Sequence, residues 1–277
     1  HSNGSVAFEI RTGGVGLFNT FVGVNAGILN EDAGNNSAFG YQALSSNIPG
    51  SDNSAFGYKA LFANASYGNS AFGSQALLSN TDGDSNSAFG DGALQANISG
   101  YDNTAFGRQA LYLNVDGYKN TAIGNSALHN NTSSAETVAV GYQAGQGNPI
   151  GYINQGSTSL GYQSGFDADT GSNYNTFLGY QSGYSVTTGA YNISIGQRVT
   201  SASNTANSQL NIGNVLYGTG LYNGSTVSSV PTGGRIGIGS TTPIAVLSVV
   251  GTSSSPTIPL FVVASSSGTT MFQIGSN

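Results

Sequence analysis

The sequence predicts an all-β protein, a parallel β-solenoid (β-roll) with one coil per ~17-residue repeat. Two observations lead to this fold class: a glycine recurs at nearly constant spacing, and small and large residues alternate around it. A third is composition. Charged residues are 6% of the chain, against about 25% in typical domains, yet the chain carries 13 Phe and 15 Tyr. So many rings with so few charges favour a packed structure over a disordered one.

The repeat reads N-[ST]-A-[FIV]-G-Y-Q-A-L-x-x-N-x-x-G, and its first glycine, here called the anchor glycine, sets the register. It occurs about 12 times before the pattern fades. Such a register indicates stacked repeats, each of which is one coil of a solenoid. The anchor glycines are Gly23, Gly40, Gly57, Gly73, Gly90, Gly107, Gly124, Gly141, Gly161, Gly179, Gly196 and Gly213.

The residues around each anchor predict strands. An apolar residue precedes the anchor and a small residue precedes that one, which is the period-2 alternation of a strand. Turn residues interrupt the pattern every seven or eight positions, which argues against helix. The unit is therefore expected to contain two short strands and two turns. Five copies place phenylalanine before the anchor and form a predicted structural ladder: Phe39, Phe56, Phe72, Phe89 and Phe106.

Asparagine recurs at two positions of the unit, one four residues before the anchor and one seven after it. Asparagine suits left-handed turn geometry, and amides stacked in register can hydrogen-bond along the stack. We therefore predict that the first set is a second structural ladder: Asn36, Asn53, Asn69, Asn86 and Asn103.

Both faces of the predicted strand carry apolar or small residues, which leaves two arrangements open. Ala38 could line a narrow coil interior with Phe39 outside, or the phenylalanines could fill the interior while the alanines face a partner. The expectation is that the Phe ladder is buried and stacked. In either arrangement both faces need cover, which favours an oligomer.

Three segments are expected. Residues 1–18 form an N-terminal strand, 19–217 the solenoid of about 12 repeats, and 218–277 a short strand-rich shaft or inter-subunit section. Neither end of the solenoid shows an obvious cap, so its edges are expected to recruit further strands. Copies of the same chain are then the expected partners, as a trimer or a head-to-tail filament. The predicted assembly residues are Leu260, Phe261, Val262, Val263 and Phe272.

The repeats resemble the head repeats of trimeric autotransporter adhesins and repeats of phage tail fibres. The motifs are NSAFGYQAL (36–44), NTAFGRQAL (103–111) and NTAIGNSAL (120–128). The later stretches QLNIGNVLYGTG (209–220) and GRIGIGSTTPIAVLSV (234–249) are similar to the shafts of such fibres. The resemblance implies a parallel, left-handed β-roll that trimerises, although the 17-residue period with Phe and Leu departs from the adhesin pattern.

The sequence offers no expected catalytic, cofactor-binding or metal-binding residue. There is no Cys, the two histidines are His1 and His129, and the acidic residues follow no period. Six scattered basic residues argue against nucleic-acid binding, and no run is long enough to insert into a membrane. The chain starts with His1 and shows no signal peptide, as expected either of an exported chain whose leader was removed or of a piece excised from a longer chain.

These features predict a non-enzymatic, extracellular structural or adhesive fibre protein on a cell or virion surface. It would bind copies of itself and, at its surface, a glycan or receptor. The alternatives are a phage tail-fibre receptor-binding protein and an ice-binding solenoid. The latter requires a flat, regular Thr face, which the irregular Thr20, Thr104, Thr121 and Thr137 do not supply.

Overall fold

A computed structural model describes residues 10–11, 18–30, 33–148, 153–220, 233–250, 261–264 and 270–274. It contains only short strands and turns in these ranges. The strands are β1 Ile10–Arg11, β2 Thr20–Val22, β3 Leu29–Asn30, β4 Ser37–Phe39, β5 Ser46–Asn47, β6 Ser54–Phe56, β7 Ser70–Phe72, β8 Ser87–Phe89, β9 Thr104–Phe106, β10 Thr121–Ile123, β11 Val138–Val140, β12 Thr158–Leu160, β13 Thr176–Leu178, β14 Ile193–Ile195, β15 Leu210–Ile212, β16 Leu216–Thr219, β17 Arg235–Ile238, β18 Leu247–Val249, β19 Phe261–Ala264 and β20 Thr270–Ile274.

Parallel three-residue strands, β2, β4 and β6–β15, stack in one sheet, one strand per coil. Each residue pairs with the equivalent residue of the next coil, as Phe39 does with Phe56. Most coils place bonded equivalent residues 17 residues apart, as in the bond from Asn53 to Asn36. The step is 16 residues at one early coil and 20 and then 18 residues at two later ones, as for the anchor glycines. The predicted fold class, a parallel β-solenoid with one coil per sequence repeat, is therefore confirmed.

The remainder of each coil is turn, so the expectation of two strands per unit is wrong for most coils. Among the described residues, only the first two coils add a second strand pair, β3 with β5. The reason is the backbone: Gln42 and Leu44 have φ of 55° and 52°, so the segment after the anchor cannot be extended. Neighbouring coils still bond there, since Leu44 N–H donates to the Ala60 carbonyl at 2.9 Å.

The anchor position requires glycine for two reasons. Gly40 has φ of 139°, which L-residues rarely adopt, and a Cβ added to it would lie 2.4 Å from the Gly57 carbonyl oxygen. Each anchor thus packs backbone to backbone on the next one. This contact repeats from Gly23 to Gly179 and holds adjacent coils together at the end of every strand.

The core is filled by alanine from the strand and leucine from the opposite turn. In six coils, here called the Leu-wall coils, the fourth residue after the anchor is a fully buried leucine and the strand centre is a fully buried alanine. These leucines are Leu44, Leu61, Leu77, Leu94, Leu111 and Leu128. Small strand residues leave space for one leucine per coil, which resolves the two arrangements in favour of alanine inside.

The next three coils, here called the Gly-wall coils, replace that leucine by Gly145, Gly165 and Gly183. In the last of them the strand centre is Phe177, which is 1% exposed and fills the interior from the other side. A Cβ at Gly183 would lie 2.2 Å from the Phe177 ring. The first coil has the same exchange, with Phe21 opposite Gly27.

Antiparallel strands extend the sheet beyond both ends of the parallel stack, so that β1 and β18 are its outermost strands. β1 pairs with β2 at one end. At the other, β16 pairs antiparallel with β15 and β17 with β16, and β18 then pairs parallel with β17. The chain reverses after Ile212, so the parallel stack ends there. β19 and β20 form a separate antiparallel pair.

Candidate interaction surface

One column of apolar residues runs across the whole 16-stranded sheet, here called the apolar column. Strand register places one residue from each strand in it, whether the strand is parallel or antiparallel. In order across the sheet the residues are Ile10, Val22, Phe39, Phe56, Phe72, Phe89, Phe106, Ile123, Val140, Leu160, Leu178, Ile195, Ile212, Leu216, Ile238 and Val249.

The five phenylalanines of this column stack on one another. Ring centroids are 4.7 Å apart from Phe39 to Phe89, with interplanar angles of 9° or less. The stack loosens at Phe106, where the spacing is 5.6 Å and the angle 26°. The predicted stacking is confirmed.

The predicted burial of the five phenylalanine rings is not found within a single chain. The alternation of the strand turns each alanine inward and each phenylalanine outward, so the rings are half-buried by their neighbours at best. Phe106 is 57% exposed. Further along the column, Ile123, Leu178 and Ile238 are about equally exposed, at 40%, 44% and 41%.

The residues flanking the apolar column are polar but uncharged over most of its length. On one side the same outward face carries Ser37, Ser54, Ser70, Ser87 and Thr104. On the other side tyrosines follow the anchor, and those of neighbouring coils stack, with Tyr142, Tyr162 and Tyr180 at 5.3 and 5.2 Å. Tyr162 has a ring on both faces, and the outer face of Tyr180 is covered by the Arg198 guanidinium at 5.9 Å.

Two asparagine ladders hold the coils in register. In the predicted ladder, the Asn36 side-chain oxygen accepts from the Asn53 backbone N–H at 2.9 Å, and the same bond links Asn53, Asn69, Asn86 and Asn103 in turn. The second set, from Asn30 to Asn114, bonds amide to amide at 2.6–2.8 Å. Both sets are internal, so their role is structural.

The predicted assembly residues lie near the end of the chain. Leu260 is outside the described residues. Phe261, Val262 and Val263 lie in β19, and Phe272 lies in β20, with Val263 in register with Phe272. The strand-rich section before them carries exposed apolar side chains, including Ile244 at 88% and Val246 at 79%.

Chemistry-bearing side chains do not converge in the part of the chain that the structure describes. It contains no group of three His, Asp or Glu side chains placed to bind a metal. His129 stacks on Tyr112 at 5.0 Å, and its Nδ1 is 2.7 Å from the Asn130 side-chain oxygen. Within the described ranges, no helix has the length and hydropathy needed to cross a membrane.

No protein-family model matches the chain, and no curated protein or solved structure is significantly similar to it. The assignment of a β-solenoid of about 11 turns therefore rests on the geometry of the chain alone.

Proposed function

We propose that this chain is a non-enzymatic structural or adhesive fibre protein of a cell or virion surface, built by lateral association of copies of itself. The observation that carries this proposal is the apolar column. A column of one apolar residue per strand, running unbroken through parallel and antiparallel strands alike, is more than fold stability requires. Contiguous exposed apolar surface of this kind usually marks an interaction site.

The size of the surface suits a stable interface. Fifteen strand spacings of about 4.8 Å give a length of roughly 70 Å. A footprint of about three residues along each strand, which takes in the polar residues on both sides of the column, is roughly 10 Å wide. The area is then around 700 Å², close to the about 800 Å² per partner of a standard interface. The column itself has no charged side chain, so covering it leaves no buried charge to compensate.

The chemistry of the column favours a second copy of this chain as its occupant. Its side chains repeat every 4.7 Å in the Phe ladder. Another copy presents the same spacing, so ridges and gaps match along the entire length. A partner without a one-coil repeat would match at a few positions only. The resemblance to trimeric adhesin heads and tail-fibre shafts is consistent with this arrangement, as is the low charge content of the chain.

Sedimentation velocity tests the association. The full chain should sediment as an oligomer at micromolar concentration. Phe72→Asp places a charge in the middle of the column and should shift the chain to monomer, with the β-sheet circular dichroism retained. Tyr67→Asp is the matched control, because Tyr67 is 48% exposed outside the column. A wild-type monomer, or equal dissociation by both variants, would refute the proposal.

Electron microscopy of the native source tests the fibre role. Immunogold labelling should decorate thin fibres outside the cell or on the virion. Labelling confined to the cell interior would contradict it.

A further inference from the structure

Side chains five residues after the anchor form a second outward column, and it is interrupted in the Gly-wall coils. Tyr112 stacks on His129 at 5.0 Å, and Phe166 stacks on Tyr184 at 5.0 Å. Between these two ring pairs the equivalent residue is Gln146. Phe166 therefore has a ring on one side only, and on the other side the column offers an amide.

A cavity of about 290 Å³ opens at this interruption. It is lined by Asn130, Gln146, Gly147, Asn148, Phe166, Asp167 and Thr187. The Gln146 side-chain oxygen is buried and has no hydrogen-bond partner in the described structure. A buried acceptor without a donor is costly, so a ligand hydroxyl that meets this oxygen after the Gln146 side chain turns toward the cavity would satisfy it.

The remaining polar groups define what the cavity accepts. Amides, a hydroxyl and one carboxyl line it, and none of the lining residues is cationic. An anionic ligand would find no counter-charge there. Partial burial raises the pKa of Asp167, which further disfavours negative charge at this position.

We propose that this cavity, here called the Gln146 cleft, binds a single neutral sugar residue. The apolar face of a sugar ring would lie against Phe166, and its hydroxyls would donate to Gln146 and Asp167 and accept from the side-chain amide of Asn130 or Asn148. The volume is just below the range of about 300–1,000 Å³ for ligand pockets, which suits one sugar unit rather than a long glycan.

The cleft shares no residue with the apolar column, so its ligand does not depend on the proposed self-association. It lies on the turn side of the coil, in the stretch where the coil step lengthens to 20 residues, as between Gln143 and Gln163. The glycan would be bound by the fibre in either oligomeric state. Failure of one proposal therefore leaves the other standing.

Saturation-transfer NMR on the full chain tests the cleft. The probes are the methyl glycosides of glucose, galactose, mannose and N-acetylglucosamine at millimolar concentration, with free glucuronate as the anionic comparison. At least one neutral glycoside should receive saturation, and glucuronate should receive less. Phe166→Leu removes the ring face, Gln146→Ala removes the free acceptor, and each should reduce the signal several-fold.

Two control variants lie in the same column, at residues that do not line the Gln146 cleft. Phe62→Leu and Gln95→Ala make the same chemical changes at equivalent coil positions and should leave saturation transfer unchanged. Thermal melts should show that all four variants are folded. The proposal is overturned if no neutral glycoside receives saturation. It is also overturned if transfer persists in the Phe166→Leu/Gln146→Ala variant or is lost equally in the controls.

Discussion

The Leu-wall coils and the last Gly-wall coil fill the interior of the solenoid in opposite ways. Leu-wall coils put a small residue in the strand and a leucine in the turn, as with Ala71 and Leu77. The last Gly-wall coil puts a large residue in the strand and glycine in the turn, as with Phe177 and Gly183. In these coils one large side chain fills the interior from one side or the other, whereas the two earlier Gly-wall coils have small residues on both sides, Ala139 with Gly145 and Ser159 with Gly165.

The number of residues per coil also differs between the Leu-wall and Gly-wall coils. Equivalent positions of successive Leu-wall coils are 16 or 17 residues apart, whereas the steps between Gly-wall coils reach 20 and 18 residues. The second asparagine ladder ends just before the Gly-wall coils, between the last two Leu-wall coils, where the Asn114 oxygen and the Asn131 amide nitrogen are buried without partners in the described structure. Glycine in the turn thus accompanies a longer step between coils, and the Gln146 cleft opens in this stretch.

The largest expected effect is on the exchanged core pair. Phe177→Ala should destabilise the chain by about 3–5 kcal/mol, because it leaves a cavity opposite a glycine. Adding Gly183→Leu to this variant recreates the Leu-wall pattern, since Gly183 has φ of 62° and Leu77 has 51°. The double variant should regain about 2 kcal/mol of the loss.

Chemical denaturation of the two single variants and the double variant measures this coupling. Gly183→Leu alone should destabilise, because its Cβ would overlap the Phe177 ring. If the two single effects simply add, volume exchange does not explain the difference between the two kinds of coil.

A slightly smaller effect is expected at the anchor glycines. Gly73→Ala should cost about 3 kcal/mol, because φ is 147° and the new Cβ would lie 2.3 Å from the Gly90 carbonyl oxygen. Gly213 is the matched control. Its φ is 61° and nothing lies within 4 Å of an added Cβ, so Gly213→Ala should cost about 1 kcal/mol. Equal costs in urea titrations would mean that the backbone contact between coils is unimportant.

The register of the solenoid was predictable because it depends on backbone contacts that only glycine permits. Anchor spacing therefore gives coil spacing directly, including the steps of 16, 18 and 20 residues. The exchange of core volume was also readable, since Phe21 with Gly27 and Phe177 with Gly183 share a spacing of six. Assigning it requires knowing that Ala38 and not Phe39 faces the interior, which the alternation of small and large residues alone does not decide.

Other features follow from tertiary context. Leucine seldom adopts positive φ, so the turn geometry at Leu44 could not be expected from local preference. The antiparallel pairing of β1 and β16 could not be predicted from the sequence either. An apolar strand next to the repeats can pair with the stack in either direction. The Gln146 cleft depends on a missing ring, which only a column-by-column comparison of the coils reveals.

The asparagine ladder should give an intermediate effect. Asn86→Ala leaves the buried Asn103 N–H without its acceptor and removes one of the two side-chain amides that donate to the Gly100 carbonyl, which should cost about 2–3 kcal/mol. Ser194→Ala is the comparison in the later coils. Ser194 is fully buried and its hydroxyl has no partner in the described structure, so removing it should cost about 0.5 kcal/mol or less. Comparable losses by both variants would rule out a special role for the ladder.

The smallest effect expected concerns Asp167 in the Gly-wall region. Burial raises its pKa in the folded chain, so the folded chain holds this proton more tightly than the unfolded chain does. The folded state is therefore favoured below the unfolded pKa of about 3.9, and this contribution is lost as pH rises through the higher folded pKa. Asp167→Asn has no ionisable side chain at this position, so its stability does not fall in this way as pH rises. The stability difference between Asp167→Asn and wild type, measured by urea titration, should therefore increase from acidic to neutral pH and then level off. A difference that is constant across this range would show that Asp167 is solvated like an ordinary surface carboxyl, and the cleft would then lack the low-polarity wall that favours a neutral ligand.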